Sequence, residues 1–302
     1  MQSQDIKKYY KHVPRQQAST LAQFRKQHPY KTLRCRSGSR WRYISCGQGQ
    51  RTLLLLPGGF MRADMWFYVI QQLKHHYRIL APDAHILHQM YALEDVSHAL
   101  DDLMEHEDAE QAIVVGISAG GGIAQTFLQM YPERVEHLIL SHSTTLQSLA
   151  QMKEKLQKIK LFVRLQPLFV VRQMMLQKLA AHTPHASHWG DFTRSYIKEV
   201  LSSVDKKILL QTLEASLQSA RHFSTHTPST KDWHGQVLLM TSKDDPHTLH
   251  QLPALQRLYP DAHQHIFQQG GHHTSLHFPE TYCAALEQFL AQLTPQTISR
   301  AA

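Results

Sequence analysis

Two hydrophobic rhythms alternate through the middle of this chain. Short, mainly apolar runs occur at Thr52-Leu53-Leu54-Leu55-Leu56, Tyr77 to Ala81, Ala112-Ile113-Val114-Val115, Arg134 to Leu140 and Gln236 to Thr241. The first reads as a central strand buried on both faces, the β-branched Ala112 run as a buried strand, and the others as further strands. Between them, residues 64–76 carry Trp66, Val69, Ile70 and Leu73 at helical spacing, and Leu93 to Met104 is amphipathic. This alternation from residue 52 to 140 predicts an α/β fold, a mostly parallel sheet with helices on both faces. Ahead of it, residues 31–36 and 40–46 alternate around Ser37-Gly38-Ser39 as a hairpin pair. Behind it come a helix over 249–258, a strand from Ala262 to Phe267 and a closing helix from Glu280 to Leu293.

The rhythm stops at residue 146. Leu149, Met152, Leu156, Ile159 and Val163 lie at helical spacing, and Leu168 to Val171 with Met174, Met175, Leu176 and Leu179 is strongly apolar. A third helical pattern runs through Ile197, Leu201, Val204, Ile208, Leu209, Leu213 and Leu217, and Pro167 and Pro184 punctuate the region. The predicted organisation is a basic N-terminal arm over residues 1–29, either a short helix or a loose segment, then a first core part over 30–145. An all-helical cap over 146–230 follows, and the second core part covers 231–302. A cap over the strand ends contributes to the pocket below it, which predicts a largely apolar small-molecule substrate.

Composition and charge sharpen this picture. The 23 His are a bias of the whole chain, so no single His is informative without context. Cys35, Cys46 and Cys283 are odd in number and lack a metal-ligand rhythm, which predicts reduced thiols and no metal. No apolar run approaches the roughly 18 residues of a spanning helix, and Met1 to Lys8 does not resemble a signal peptide; a soluble cytoplasmic protein is expected. The net charge of +8 is uneven: residues 1–42 carry +10, residues 146–230 carry +7, and the remainder −9. A basic arm and a basic cap on an acidic core allow peripheral contact with an anionic membrane or acidic substrates, but solvated helix faces are the preferred reading. No recognition motif accompanies the charge, so nucleic acid is not an expected partner.

The candidate chemistry centres on Gly116-Ile117-Ser118-Ala119-Gly120. A G-x-S-x-G sequence between a strand and a helix forms a nucleophile elbow with Ser118 at its apex. The backbone there is strained by about 1–3 kcal/mol, and Gly116 and Gly120 avoid collisions that larger side chains would make. Serine needs a base, and the base needs a carboxylate that fixes its tautomer. The strand ending at Thr241 is followed by Asp244 and Asp245, and the strand ending at Phe267 by Gly270-Gly271-His272-His273. Asp245, just before Pro246, is preferred over Asp244, and His272 over His273. An earlier acid position, after Leu140, holds only Ser141-His142-Ser143. An oxyanion hole needs two N–H donors: one from Ala119, the other from Gly59 or Phe60 in Pro57-Gly58-Gly59-Phe60.

Together these motifs resemble the α/β-hydrolase superfamily. The resemblance covers roughly residues 30–145 and 231–294. It is carried by Leu56-Pro57-Gly58-Gly59-Phe60, Ala81-Pro82-Asp83, Val115 to Gly121, Ser242 to Pro246, and Gly271-His272 with Pro279. Pro57-Gly58 stands where many members have His-Gly, which removes a bracing side chain and keeps the backbone donor. Leu56 to Asp64, Leu258 to Ala262 and Gly270-Gly271 are also similar to the maspardin-like branch, whose members are discussed as interaction proteins as well as hydrolases. The resemblance implies a carboxylesterase- or lipase-like serine hydrolase (EC 3.1.1), needing no cofactor. A catalytically weak docking protein and a C–C hydrolase or lyase on the same three residues stay open. A dehalogenase or epoxide hydrolase with an Asp nucleophile is disfavoured by Ser118.

Overall fold

The computed structural model describes residues 8–84, 92–181, 187–223 and 233–293. Residues 1–7 of the predicted arm, Pro184, residues 224–230 of the predicted cap and residues 294–302 lie outside the described residues, as do the side chains of Leu149 and Leu179.

The apolar runs form one sheet. Its strands are β1 (Lys31–Arg34), β2 (Arg40–Cys46), β3 (Thr52–Leu56), β4 (Arg78–Pro82), β5 (Ala112–Ile117), β6 (Val135–Ser141), β7 (Val237–Ser242) and β8 (His263–Phe267). They lie in the order β1-β2-β4-β3-β5-β6-β7-β8. The β1–β2 and β2–β4 pairs are antiparallel, and the pairs from β4 to β8 are parallel. From β3 the chain crosses first to β4 on one side and then to β5 on the other, so the order reverses between β3 and β5. Crevices at such reversals, beyond the carboxyl ends of the strands, are where open α/β sheets bind ligands. Leu56, the last residue of β3, is in register with Gly116 of β5.

Side-chain alternation explains why these strands read as continuous apolar runs. Leu53, Leu55, Ile113 and Val115 face one hydrophobic cluster, while Leu54, Leu56 and Val114 face another. The first cluster is covered by α1 (Arg15–Gln27), α2 (Phe67–Leu73), α8 (Gly190–Ser203) and α11 (Pro279–Gln292). The second is covered by α3 (Leu93–His106), α4 (Ala119–Met130) and α10 (Leu252–Leu258).

The N-terminal segment takes the helical one of its two predicted forms, and as part of the core: α1 inserts fully buried Leu21 and Phe24 into the sheet's first cluster, each such burial contributing about 1.5–3 kcal/mol. The insertion between β6 and β7 is helical throughout its described part, as α5 (Leu146–Gln151), α6 (Lys153–Leu165), α7 (Leu168–Ala181), α8 and α9 (Lys206–Phe223). It is not built around one core. Phe192, Tyr196 and Val200 of α8 join the main core, and among the described residues Val163, Val171, Val204 and Leu209 form a small core within the insertion. Ile159, which shares the helical spacing of Leu156 and Val163, is exposed. Among the described residues, no helix is long and apolar enough to cross a membrane.

Candidate active site

Ser118 sits between β5 and α4 with φ 54° and ψ −119°, a left-handed conformation costly for a residue with a Cβ. The surrounding contacts hold it there. The Ser118 N–H donates to the Ser141 carbonyl (2.9 Å), the Gly121 N–H donates to the Ser118 carbonyl (3.0 Å), and Ser143 Oγ donates to that same carbonyl (3.1 Å). The neighbouring glycines are required by space. A Cβ on Gly116 would lie 2.5 Å from the Gly120 carbonyl oxygen, and one on Gly120 would lie 2.4 Å from that of Leu56. Ser118 is partly exposed at the end of β5.

His272 and Asp245 converge on it. Ser118 Oγ is 2.8 Å from His272 Nε2, and His272 Nδ1 is 2.7 Å from Asp245 Oδ2. Burial pushes the Asp245 carboxyl upward, but the His272 hydrogen bond and charge and the Thr248 hydroxyl together outweigh it and hold the group below the usual carboxylate range. An ionised Asp245 accepts from Nδ1–H, which leaves the Nε2 lone pair facing Ser118. The carboxylate is itself oriented. Thr248 Oγ1 donates to Asp245 Oδ2 (2.7 Å), and Thr241 Oγ1 lies 2.8 Å from Thr248 Oγ1.

Asp244, the alternative acid, does something else. Its carboxylate accepts the N–H groups of Gly270 (3.0 Å) and Gly271 (2.9 Å). It thus ties the turn after β7 to the turn that presents His272, where Gly270 (φ 148°) and Gly271 (φ 57°) adopt conformations that favour glycine. His273 contacts the His272 ring at 5.5 Å between centroids and makes none of the hydrogen bonds of the array.

The turn after β3 lies against the elbow. A Cβ on Gly58 would meet the Ile117 carbonyl oxygen at 2.9 Å and Ser118 Cβ at 3.0 Å. The turn is closed by Met61 N–H donating to the Gly58 carbonyl (2.9 Å), which leaves the N–H groups of Gly59 and Phe60 outside that bond. Gly59 has φ 52° and faces open space. Ala119 opens α4, where a first-turn N–H has no intrahelical acceptor. Phe60 packs against both the sheet's core and the small core of the insertion.

Two sets of residues around the site carry no sequence signal of their own. His142, at the vacant acid position after β6, has φ 45° and is completely buried. Its Nδ1 lies 3.0 Å from Ser141 Oγ, its Nε2 lies 2.9 Å from Ser242 Oγ and 3.1 Å from Thr274 Oγ1, and its ring meets His272 edge-on at 6.0 Å. Burial, reinforced by the neighbouring His272, pushes its pKa down to about 3, so it stays neutral. The second set is an ion lattice below the Gly58 turn. Arg25 Nε lies 2.7 Å from Asp64, Arg25 also pairs with Glu199 (3.1 Å), and Arg62 pairs with Glu199 (2.8 Å). Tyr196 Oη donates to Asp64 and Tyr10 Oη to Glu199, both at 2.6 Å. The lattice joins α1, the segment after β3 and α8 in one hydrogen-bonded unit.

Residues 51–279 match the family described as alpha/beta hydrolase fold. The chain belongs to this family. It is 33% identical over 102 residues to a pimeloyl-[acyl-carrier protein] methyl ester esterase of Hamiltonella defensa, covering 33% of this chain and 38% of that protein. It is 30% identical over 115 residues to epoxide hydrolase 4 of Homo sapiens, covering 34% of this chain and 31% of that protein. The matched stretch thus spans about a third of these relatives' length. A thermophilic esterase from Thermogutta terrifontis has the same fold, with a TM-score of 0.68 at 18% identity, over 87% of this chain and 98% of that one.

Proposed function

We propose that the protein is a serine hydrolase that cleaves a carboxylic ester or a related acyl bond. The observation that carries this reading is the continuous chain of hydrogen bonds from Ser118 Oγ to His272 and on to Asp245, at 2.8 and 2.7 Å, with Ser118 accessible at a strained elbow. In this reading Ser118 Oγ attacks the acyl carbon while His272 Nε2 takes its proton. Asp245 stabilises the imidazolium that forms and keeps its orientation. The N–H groups of Ala119 and of Gly59 or Phe60 receive the developing oxyanion, each such donor contributing roughly 10²–10³ in rate. His272 returns the proton to the departing alcohol, and water then hydrolyses the acyl-enzyme by the same steps in reverse.

Epoxide opening fits this site poorly. A serine oxygen adding to an epoxide carbon leaves an ether, which offers water no carbonyl to attack, so turnover would stop after one event. An acyl bond leaves an ester at Ser118, which the same base can clear. The substrate is expected to present an apolar acyl group, because Phe60 and the insertion's apolar helices border the Gly58 turn.

Labelling with a fluorophosphonate probe tests the reading. The wild-type protein should be labelled stoichiometrically, and Ser118→Ala should abolish labelling without changing the melting temperature by more than a few degrees. Folded wild-type protein that resists the probe overturns it and favours a docking role for the fold. A series of p-nitrophenyl esters of rising acyl length then reads the pocket, with longer chains expected to raise kcat/KM.

A further inference from the structure

The insertion exposes apolar side chains in one place. Of the six exposed large hydrophobic residues among those described, five (Ile159, Leu161, Leu165, Phe169 and Met174) belong to α6 and α7. Leu161, Leu165 and Phe169 are 57%, 69% and 68% exposed. They are not the fringe of a buried stripe. On α6, Leu161 and Leu165 are one turn apart and project opposite to Leu156 and Val163, the buried positions of that helix. Phe169 follows Leu165 across the Gln166-Pro167 turn and projects opposite to buried Val171. Three large apolar side chains therefore stand outward around one helix–helix corner.

The charge around this corner is mostly basic, with exposed Glu154 and Asp205 at the starts of α6 and α9 as its flanking acids. From Lys155 to Gly190 the chain has six Lys or Arg and no Asp or Glu. Lys155, Lys158 and Arg164 are exposed on α6. Lys206, at the start of α9, donates to the carbonyls of Arg164 (2.8 Å) and Gln166 (3.0 Å), which brings the Lys206-Lys207 pair to the same corner. A shallow groove of about 510 Å³ beside it is lined by Lys160, Lys206, Lys207, Leu210, Gln211 and Glu214. Glu214 is the acid there and is paired with Lys160.

We propose that the α6–α7 corner docks on an anionic lipid surface, with Leu161, Leu165 and Phe169 entering the headgroup–acyl boundary and the surrounding Lys and Arg meeting lipid phosphates. Outward apolar residues ringed by cations are the arrangement that interfacial helices use, and apolar insertion and attraction to anionic lipid add. A second copy of the chain suits the corner poorly: a two-fold contact would set this basic rim against itself. The same helices contribute the small core that packs on Phe60, beside the elbow. Docking at this corner therefore holds the candidate site near the membrane, where apolar acyl substrates collect.

Vesicle co-sedimentation tests this, using the full chain as Ser118→Ala so that turnover cannot alter the lipid. The chain should partition onto phosphatidylglycerol-containing phosphatidylcholine vesicles at least tenfold more strongly than onto pure phosphatidylcholine, and less strongly as salt rises. Leu161→Glu with Phe169→Glu should abolish partitioning while leaving the melting curve and fluorophosphonate labelling of the otherwise wild-type chain intact. Lys155→Glu with Lys158→Glu should weaken binding to anionic vesicles several-fold. Three outcomes overturn the proposal: no vesicle binding, equal binding by the double glutamate variant, or a glutamate-sensitive dimer in light scattering without lipid binding. Failure of the labelling experiment above would leave this result untouched, since docking does not require Ser118 to react.

Discussion

Asp244 and Asp245 are identical side chains on adjacent residues, and what separates them is where their hydrogen bonds go. Asp245 meets the imidazole, while Asp244 holds two backbone N–H groups of the turn that carries it. The two substitutions should therefore fail differently. Asp245→Asn can offer its amide N–H to Nδ1, turning the imidazole into the tautomer whose Nε2 is already protonated; kcat on a p-nitrophenyl ester is expected to fall by roughly 10⁴. Asp244→Asn keeps one acceptor for the Gly270–Gly271 turn, so kcat should fall less than about tenfold, with most of the effect appearing as a lower melting temperature through a weakened charge-assisted hydrogen bond. Equal losses of kcat would show that the two carboxylates share one role. At this scale the sequence supplies the candidates through their positions after strand ends, and Ser118, His272 and Asp245 do come together. Choosing within the pair from sequence rests only on position before Pro246, because nothing local records whether a carboxylate meets a ring nitrogen or a backbone turn. His142 shows the same limit. After β6 it reads as the absence of an acid, and its packing against His272 emerges only from the fold.

The strands and most helices were readable because one local period governs each of them. Alternate positions of β3 and β5 enter opposite cores, so every position must be apolar and the run stands out. α1 shows where that signal fails. Its buried positions are only Ala18, Leu21 and Phe24 among thirteen mostly polar residues, and Arg25 looks like one more solvated charge. Its partners Asp64 and Glu199 lie 39 and 174 residues away, beyond any local pattern. Nor does hydrophobic spacing distinguish α8, which joins the main core, from α6, which turns apolar side chains outward. The ion lattice makes α1 a fixed part of the scaffold under the Gly58 turn. Burial opposes ionisation of Asp64, yet Arg25, Arg62 and Tyr196 hold its pKa below normal. Arg25→Met leaves Asp64 and Glu199 sharing one Arg in a buried site, a class of change that costs about 3–5 kcal/mol. The expected result is a fall in melting temperature of roughly 5–15 °C. Tyr10→Phe, which removes a single hydrogen bond to Glu199, should cost much less. A melting temperature for Arg25→Met within the error of the wild type would mean that α1 is held by Leu21 and Phe24 alone.

Across the whole molecule, acid is the condition that most clearly separates local from global electrostatics. With 32 Lys and Arg and 23 His, the chain becomes strongly cationic as its carboxylates protonate, and self-repulsion then destabilises the compact state everywhere. Against that background Glu107 makes a contribution of known sign. It follows α3 and anchors the antiparallel edge of the sheet: Lys31 Nζ (2.9 Å) and Tyr43 Oη (2.7 Å) donate to Oε1, and Ser45 Oγ (2.8 Å) and Arg78 (3.2 Å) to Oε2. Burial alone would raise its pKa, but hydrogen bonds from Lys31, Tyr43 and Ser45 bring it down to about 2, from an ordinary value of 4.5. A folded pKa below the unfolded one means that the unfolded chain takes up the proton first as pH falls. The stabilisation is therefore complete above about pH 4.5 and is lost between there and about pH 2. Glu107→Gln removes the ionised form and leaves the shape, so it should unfold more easily in urea than the wild type at pH 7 and at pH 5, by the same margin at both. That margin should shrink at pH 4 and further at pH 3. Because self-repulsion acts on both proteins, it cancels in the difference, which isolates this one carboxylate. A margin independent of pH down to 3 would mean that the Glu107 contacts act through packing and neutral hydrogen bonds, with the charge contributing nothing.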